Sequence, residues 1–187
     1  SAALARYWPA MGNSEIAEAN LVVNLAATLV AKEMHVLAEV PFLGRPNEHG
    51  DLFAMNNQYA VLVEAKRLYH AGKAAELAMD YRRALGSELP HYVGSQAPQP
   101  VALACAVATT WQPQIQGYWC SDERVAPGGA RGWRALLEDV LLAPSVRRIG
   151  SFEIQTCQDW GTQHLLYVVG VRERPFTPGD AAGRKRS

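Results

Sequence analysis

The chain has few cysteines, no excess of either charge and no long apolar run. Its three cysteines, Cys105, Cys120 and Cys157, are an odd number at wide spacings. No C-x-x-C pair occurs, which argues against both a disulfide framework and a thiolate zinc site. Cys105 sits inside the apolar run from Val101 to Thr109 and reads as a small buried hydrophobe. A reducing, cytoplasmic compartment is the expectation. Lys plus Arg and Asp plus Glu are 18 each, so the formal net charge is zero. That balance argues against a strongly basic non-specific nucleic-acid binder but leaves room for a local patch that holds phosphates. No apolar stretch reaches membrane-spanning length and no secretory signal is visible, so no membrane partner is expected. There is no phosphate-loop G-K-[ST] and no internal repeat. The chain begins at Ser1 rather than Met, which reads as processing or as a piece of a longer protein.

What is present is a chain of 187 residues with 49% hydrophobic content, enough for one domain with a full core. That domain is expected over residues 1–174. The Gly-, Pro- and Arg-rich stretch 175–187 reads as a disordered tail.

The chain is organised around residues 50–66, GDLFAMNNQYAVLVEAK. Asp51 to Met55 is rich in strand formers, Asn56-Asn57-Gln58 is turn-prone, and Tyr59 to Val63 reads as a second strand. So short a connection makes an antiparallel hairpin. Asp51 opens the first strand and Glu64 closes the second, which puts them at the same end. Glu64 and Lys66 are two apart on a strand and share a face. Adjacent carboxylates repel and resist desolvation, so the cluster needs a reason. One is a divalent cation such as Mg²⁺, with Lys66 orienting or helping to deprotonate a water. The plainer alternative is a surface salt bridge between Glu64 and Lys66.

Around the hairpin, Asn13-Ser14 reads as the cap of a helix running through Glu33, with Val22, Leu25, Ala26 and Leu29 as its apolar stripe. Glu15 and Glu18 fall on that stripe one turn earlier, and Glu18 aligns better. They fit either a helix-dipole role or a place at the charged cluster. His35 to Phe42 is the first strand, and Leu43 to His49 a polar loop beside the site. Arg45 and His49 on that loop read as spectators. Residues 73–85 form a helix with Ala74, Leu77, Ala78, Tyr81 and Leu85 facing the core, and Lys73, Arg82 and Arg83 facing elsewhere. Val101 to Thr110 reads as a central strand buried on both faces. Residues 111–132 read as irregular, residues 133–142 as a helix. A hairpin of Ser151–Cys157 with His164–Val171 extends the sheet. The paired basics Arg82, Arg83, Arg147 and Arg148 are expected to include phosphate contacts.

Gly50-Asp51, twelve intervening residues, then Glu64-Ala65-Lys66 resembles the PD-(D/E)xK phosphodiesterase superfamily, the restriction-endonuclease-like nucleases. Gly50 stands where that family's leading proline would be. The order of elements over about residues 13–110 matches as well. The Gln-x-x-x-Tyr signature of the RecB-like members is absent, because Leu77 lies four before Tyr81. The resemblance implies an α/β fold, a restriction-endonuclease-like mixed central β-sheet flanked by helices. It implies a hydrolase cutting nucleic acid, DNA as the expected substrate, with Mg²⁺ or Mn²⁺. Asp51 and Glu64 would be metal ligands, with the Ala65 carbonyl and Glu18 on the first helix completing the set, and Lys66 the catalytic cation. The alternative is a catalytically silent module of the same fold that binds nucleic acid or a protein partner in a defence or toxin system.

Overall fold

The structure, a computed structural model, describes residues 17–42, 45–86, 100–121, 131–155 and 162–172. Its elements in chain order are α1 (Glu18–Val30), β1 (His35–Phe42), β2 (Arg45–Met55), β3 (Tyr59–Arg67) and α2 (Ala71–Gly86). Then come β4 (Val101–Thr110), α3 (Pro113–Cys120), α4 (Arg131–Leu141), β5 (Val146–Gln155) and β6 (Thr162–Val171). The strands make one six-stranded sheet in the order β1-β2-β3-β4-β6-β5. β3 and β4 run parallel, joined through α2, and the other neighbours are antiparallel. The fold is therefore α/β with a mixed sheet flanked by helices, as the order of elements implied.

Local chemistry explains the central hairpin. Asn56 Oδ1 accepts the N–H groups of Gln58 and Tyr59, both at 2.9 Å, and so closes the turn between β2 and β3. β3 and β4 are rich in Val, Leu and Ala and are covered on both faces, as a parallel pair requires. On one face, Val22, Leu25, Ala26 and Leu29 of α1 pack on Leu52, Val63, Ala65 and Val107. The other face carries the larger core, where Leu77, Tyr81, Tyr118, Trp119 and Leu137 of α2, α3 and α4 meet Leu62, Ala104, Ala106 and Leu166. The small alanines of β4 leave room for those aromatic rings.

The β1–β2 ribbon turns over part-way along. Glu39 has φ 51°, a left-handed backbone that costs a non-glycine residue about 1–2 kcal/mol. Val36 packs on the α1 side, whereas Val40 and Phe42 pack on the α2 side, so strand alternation breaks between them. The partner strand turns with it. Leu52 faces α1, but a Cβ on Gly50 would come within 2.6 Å of Leu62 Cδ1 on the α2 side. Any larger residue there would push the buried Leu62 side chain aside. Ala38 pairs with Leu52 and Val40 with Gly50, so the turnover falls on Glu39 and Asp51.

Several expectations need correction. The stretch expected as a loop before the site is strand: β2 starts at Arg45, and Asp51 lies within it rather than opening it. Pairing with β1 alone holds that segment extended, despite its weak strand formers. α1 stops at Val30 rather than Glu33. The segment 111–132 contains a helix, α3, with Pro113 in its first turn, where a missing N–H costs nothing. β5 begins at Val146, so Arg147 and Arg148 lie on a strand. Leu85 packs against the core as expected, and Ala84, not expected there, is buried beside it on α2. The Asn13-Ser14 cap, Glu15, Cys157 and the tail 175–187 lie outside the described residues.

Candidate active site

The backbone ladder between β2 and β3 reaches Leu52 and Val63. Beyond it a side chain takes over: Asp51 Oδ2 accepts the Ala65 N–H at 2.6 Å. The overturned ribbon thus carries Asp51 to the point where β3 presents Glu64, Ala65 and Lys66. On β3, Ala60 and Leu62 lie in the α2-side core, so strand alternation puts Glu64 and Lys66 on that face too.

Glu64 is only 1% exposed. Its Oε1 has no hydrogen-bond partner, and Arg83 Nη2 stands 3.7 Å from it. Burial pushes the Glu64 carboxyl up to about 8, the charges of Asp51 and Asp80 add to this, and Arg83 and Lys66 oppose it. Burial also raises Asp51. The Ala65 N–H bond and Lys66 work against that rise, and the charges of Glu39 and Asp80 reinforce it.

Lys66 Nζ is 2.9 Å from Asp80 Oδ2. Asp80 Oδ1 in turn accepts from Arg83 Nη2 at 2.9 Å. Arg83 Nη1 reaches Glu48 Oε2 at 3.4 Å, and its guanidinium lies 5.0 Å from the centre of the Phe42 ring. Burial by itself would lower the Lys66 pKa. The hydrogen bond and charge of Asp80, then Asp51 and Glu18, outweigh it and raise the pKa. Lys66 is therefore held as an ammonium, which favours orienting a water or phosphate over deprotonating one.

Glu18 Oε1 accepts the Arg67 N–H at 3.0 Å. Its carboxylate is thus aimed at the end of β3 rather than left at a solvated first turn. The structure therefore brings Asp51, Glu64 and Lys66 together, with Glu18 at their margin. Ala65 takes part through its N–H.

Asp80, Glu39 and Glu48 belong to the cluster though the sequence reading did not single them out, and Arg83, expected there only as a phosphate contact, belongs to it too. Asp80 was readable: it lies three after Leu77 and four before Ala84, at the edge of the buried stripe of α2. Arg83, expected to face elsewhere, is turned inward and serves as counter-ion to the acids. Arg82 pairs with Asp139. Arg147 Nη1 donates to the carbonyls of Pro144 and Val146, on a strand separated from β3 by β4 and β6. These arginines do not form one patch. Arg45 pairs with Glu48 at 3.2 Å, and His49 is exposed on β2.

Among the described residues no three His, Cys, Asp or Glu side chains form a ready cage. Mg²⁺ does not ask for one, because it is commonly held by one or two carboxylates with waters and substrate phosphate. Two neighbouring carboxylates, one with a buried oxygen that accepts no hydrogen bond, fit that demand. A cleft of about 530 Å³ opens elsewhere, between the end of α1 and the β2–β3 turn, lined by Lys32, His35 and Asn56 among others. It holds none of the clustered residues. Among the described residues no helix is long and apolar enough to cross a membrane. No family model, no curated protein and no solved structure matches this chain.

Proposed function

We propose that the chain is a metal-dependent nuclease with a restriction-endonuclease-like domain, hydrolysing phosphodiester bonds of nucleic acid, DNA being the expected substrate. The observation that carries this reading is Glu64: a nearly fully buried carboxyl with a bare oxygen, set beside Asp51 and Lys66. A fold selected for stability alone gains little from it, since a buried acid oxygen that accepts no hydrogen bond costs free energy that one ion-pair contact at 3.7 Å from Arg83 only partly offsets.

Asp51 and Glu64 would hold Mg²⁺ or Mn²⁺, with Glu18 and the Ala65 carbonyl as further expected ligands. When bound, the cation neutralises phosphate charge and lowers the pKa of a bound water. The chain's own residues do the rest. The Ala65 N–H fixes the Asp51 carboxylate, so its orientation costs nothing when substrate arrives. The Lys66 ammonium presents N–H donors to an attacking water or a phosphate oxygen. Asp80 keeps it charged and positioned, and Arg83 offsets part of the acid repulsion.

A second reading, a silent binding module, draws on one contact. Lys66 is engaged by Asp80 at 2.9 Å, as in an ordinary structural ion pair. Nicking of supercoiled plasmid separates the two. The nuclease reading expects Mg²⁺-dependent nicking that EDTA stops and Asp51→Ala abolishes. Intact plasmid at every divalent cation tried favours the binding module.

A further inference from the structure

Just past Lys66 the chain builds a second surface that the acid cluster does not use. Leu68 N–H donates to the Thr109 carbonyl at 2.8 Å, and Thr110 Oγ1 donates to the Leu68 carbonyl at 3.0 Å. Gln112 Nε2 donates to the Tyr69 carbonyl at 3.1 Å. These three bonds tie the segment leaving β3 to the segment leaving β4. On the shelf so made stand Tyr69 and Trp111, their rings 13° from parallel with centroids 6.5 Å apart. His70 meets Tyr69 edge-on at 4.5 Å, and the Arg67 guanidinium lies 5.5 Å from the Tyr69 ring centre.

Trp111 is 39% exposed, Tyr69 half-buried and His70 exposed. Neither Tyr69 nor Trp111 belongs to a core cluster. An exposed Trp held parallel to a Tyr on tied backbone, with a guanidinium over the Tyr, is suited to planar, electron-rich rings on an anionic strand. Bases stack on such faces whatever their sequence, and the arginine beside the Tyr69 ring adds a cation–π contribution. Rigid backbone under the rings means that little freedom is lost on binding.

We propose that Trp111 and Tyr69, with Arg67, form a stacking platform for an unpaired nucleobase, so that the chain engages single-stranded nucleic acid beside the acid cluster. The proposal rests on the nuclease reading for the role of the strand, but its test does not. A base within a duplex has both faces stacked on its neighbours and cannot use the platform. Only an unpaired stretch, end or flap can.

The test is fluorescence anisotropy in EDTA with fluorescein-labelled dT12, rU12 and a blunt hairpin duplex. Wild type is expected to bind both single strands more tightly than the duplex, because ring faces rather than 2′-hydroxyls are read. Trp111→Ala should weaken binding of the single strands about ten-fold and leave the duplex unchanged. Trp111→Phe should stay within about two-fold of wild type, since it keeps a ring face. Tyr69→Ala, a second variant, should weaken the same strands. Wild-type binding of single strands by Trp111→Ala overturns the platform, as do equal loss on strand and duplex or no single-strand binding by wild type. No cleavage in Mg²⁺ with Trp111-dependent binding intact sinks the nuclease reading and leaves the platform. Cleavage with unaltered binding by Trp111→Ala does the reverse.

Discussion

The turn that starts β3 and the segment that ends it treat polar groups differently. At the turn, Asn56, Asn57 and Gln58 lie at or near the surface, and Asn56 satisfies two neighbouring N–H groups within its own loop. At the far end, Glu64 is buried with a bare oxygen, Asp51 is raised by burial, and Lys66 is held by an acid from another element. The turn satisfies its polar groups locally and at the surface. The far end assembles like charges from β1, β2, β3 and α2, and their repulsion is only partly offset by Arg83 and Lys66. Free energy spent there, and not at the turn, marks where chemistry or binding is to be sought.

The largest expected effect is on cleavage. Asp51→Ala and Lys66→Ala should each lower Mg²⁺-dependent nicking by at least about a hundred-fold with the circular dichroism spectrum unchanged. Full activity in folded Lys66→Ala would remove that residue from the mechanism.

The next effect is on stability against pH, in EDTA. The native Glu64 carboxyl titrates near 8 against an ordinary 4.5. Between those values the native state holds a proton that the unfolded state has lost, so stability falls as pH rises through the window. Urea unfolding should show a loss on the order of a few kcal/mol between pH 5 and pH 8, and Glu64→Gln should flatten it. A wild-type stability that does not fall over that range would show that Glu64 is not held in the costly state described.

The smallest effect belongs to the turn. Asn56→Ala should cost about 1 kcal/mol in urea unfolding, equally at pH 5 and pH 8, with nicking unaltered. A change in nicking would couple the two ends and break the contrast.

Part of this was legible in the sequence. The sequence reading of β1 from His35 to Phe42 has the bounds that the structure shows. The α1 stripe of Val22, Leu25, Ala26 and Leu29 packs as its periodicity required. Asp51, Glu64 and Lys66 were placed together by hairpin geometry alone. The early part of β2 was hidden, since Pro46, Asn47 and Gly50 are poor strand formers held extended by a partner strand. α3 was hidden by its shortness and by Gly117 within it. The inward turn of Arg83 depends on how α2 is rotated on the sheet, which side-chain spacing within one helix sets only coarsely. The left-handed Glu39 leaves no local mark, because its backbone is imposed by two strands turning over together.

The central claim is that the end of β3 is a cation site, and a thermal melt tests it without any substrate. Wild type and Asp51→Asn are melted in EDTA and in Mg²⁺ or Mn²⁺. At ten times the dissociation constant, wild type should gain about 1.4 kcal/mol, a rise of roughly 3–6 °C in melting temperature. Asn keeps an oxygen for the Ala65 N–H but removes one charge, so metal-free Asp51→Asn should melt no lower than wild type. Its metal response should shrink. A flat response in wild type, with Asp51→Asn melting lower, would make Asp51 a structural partner and contradict the account.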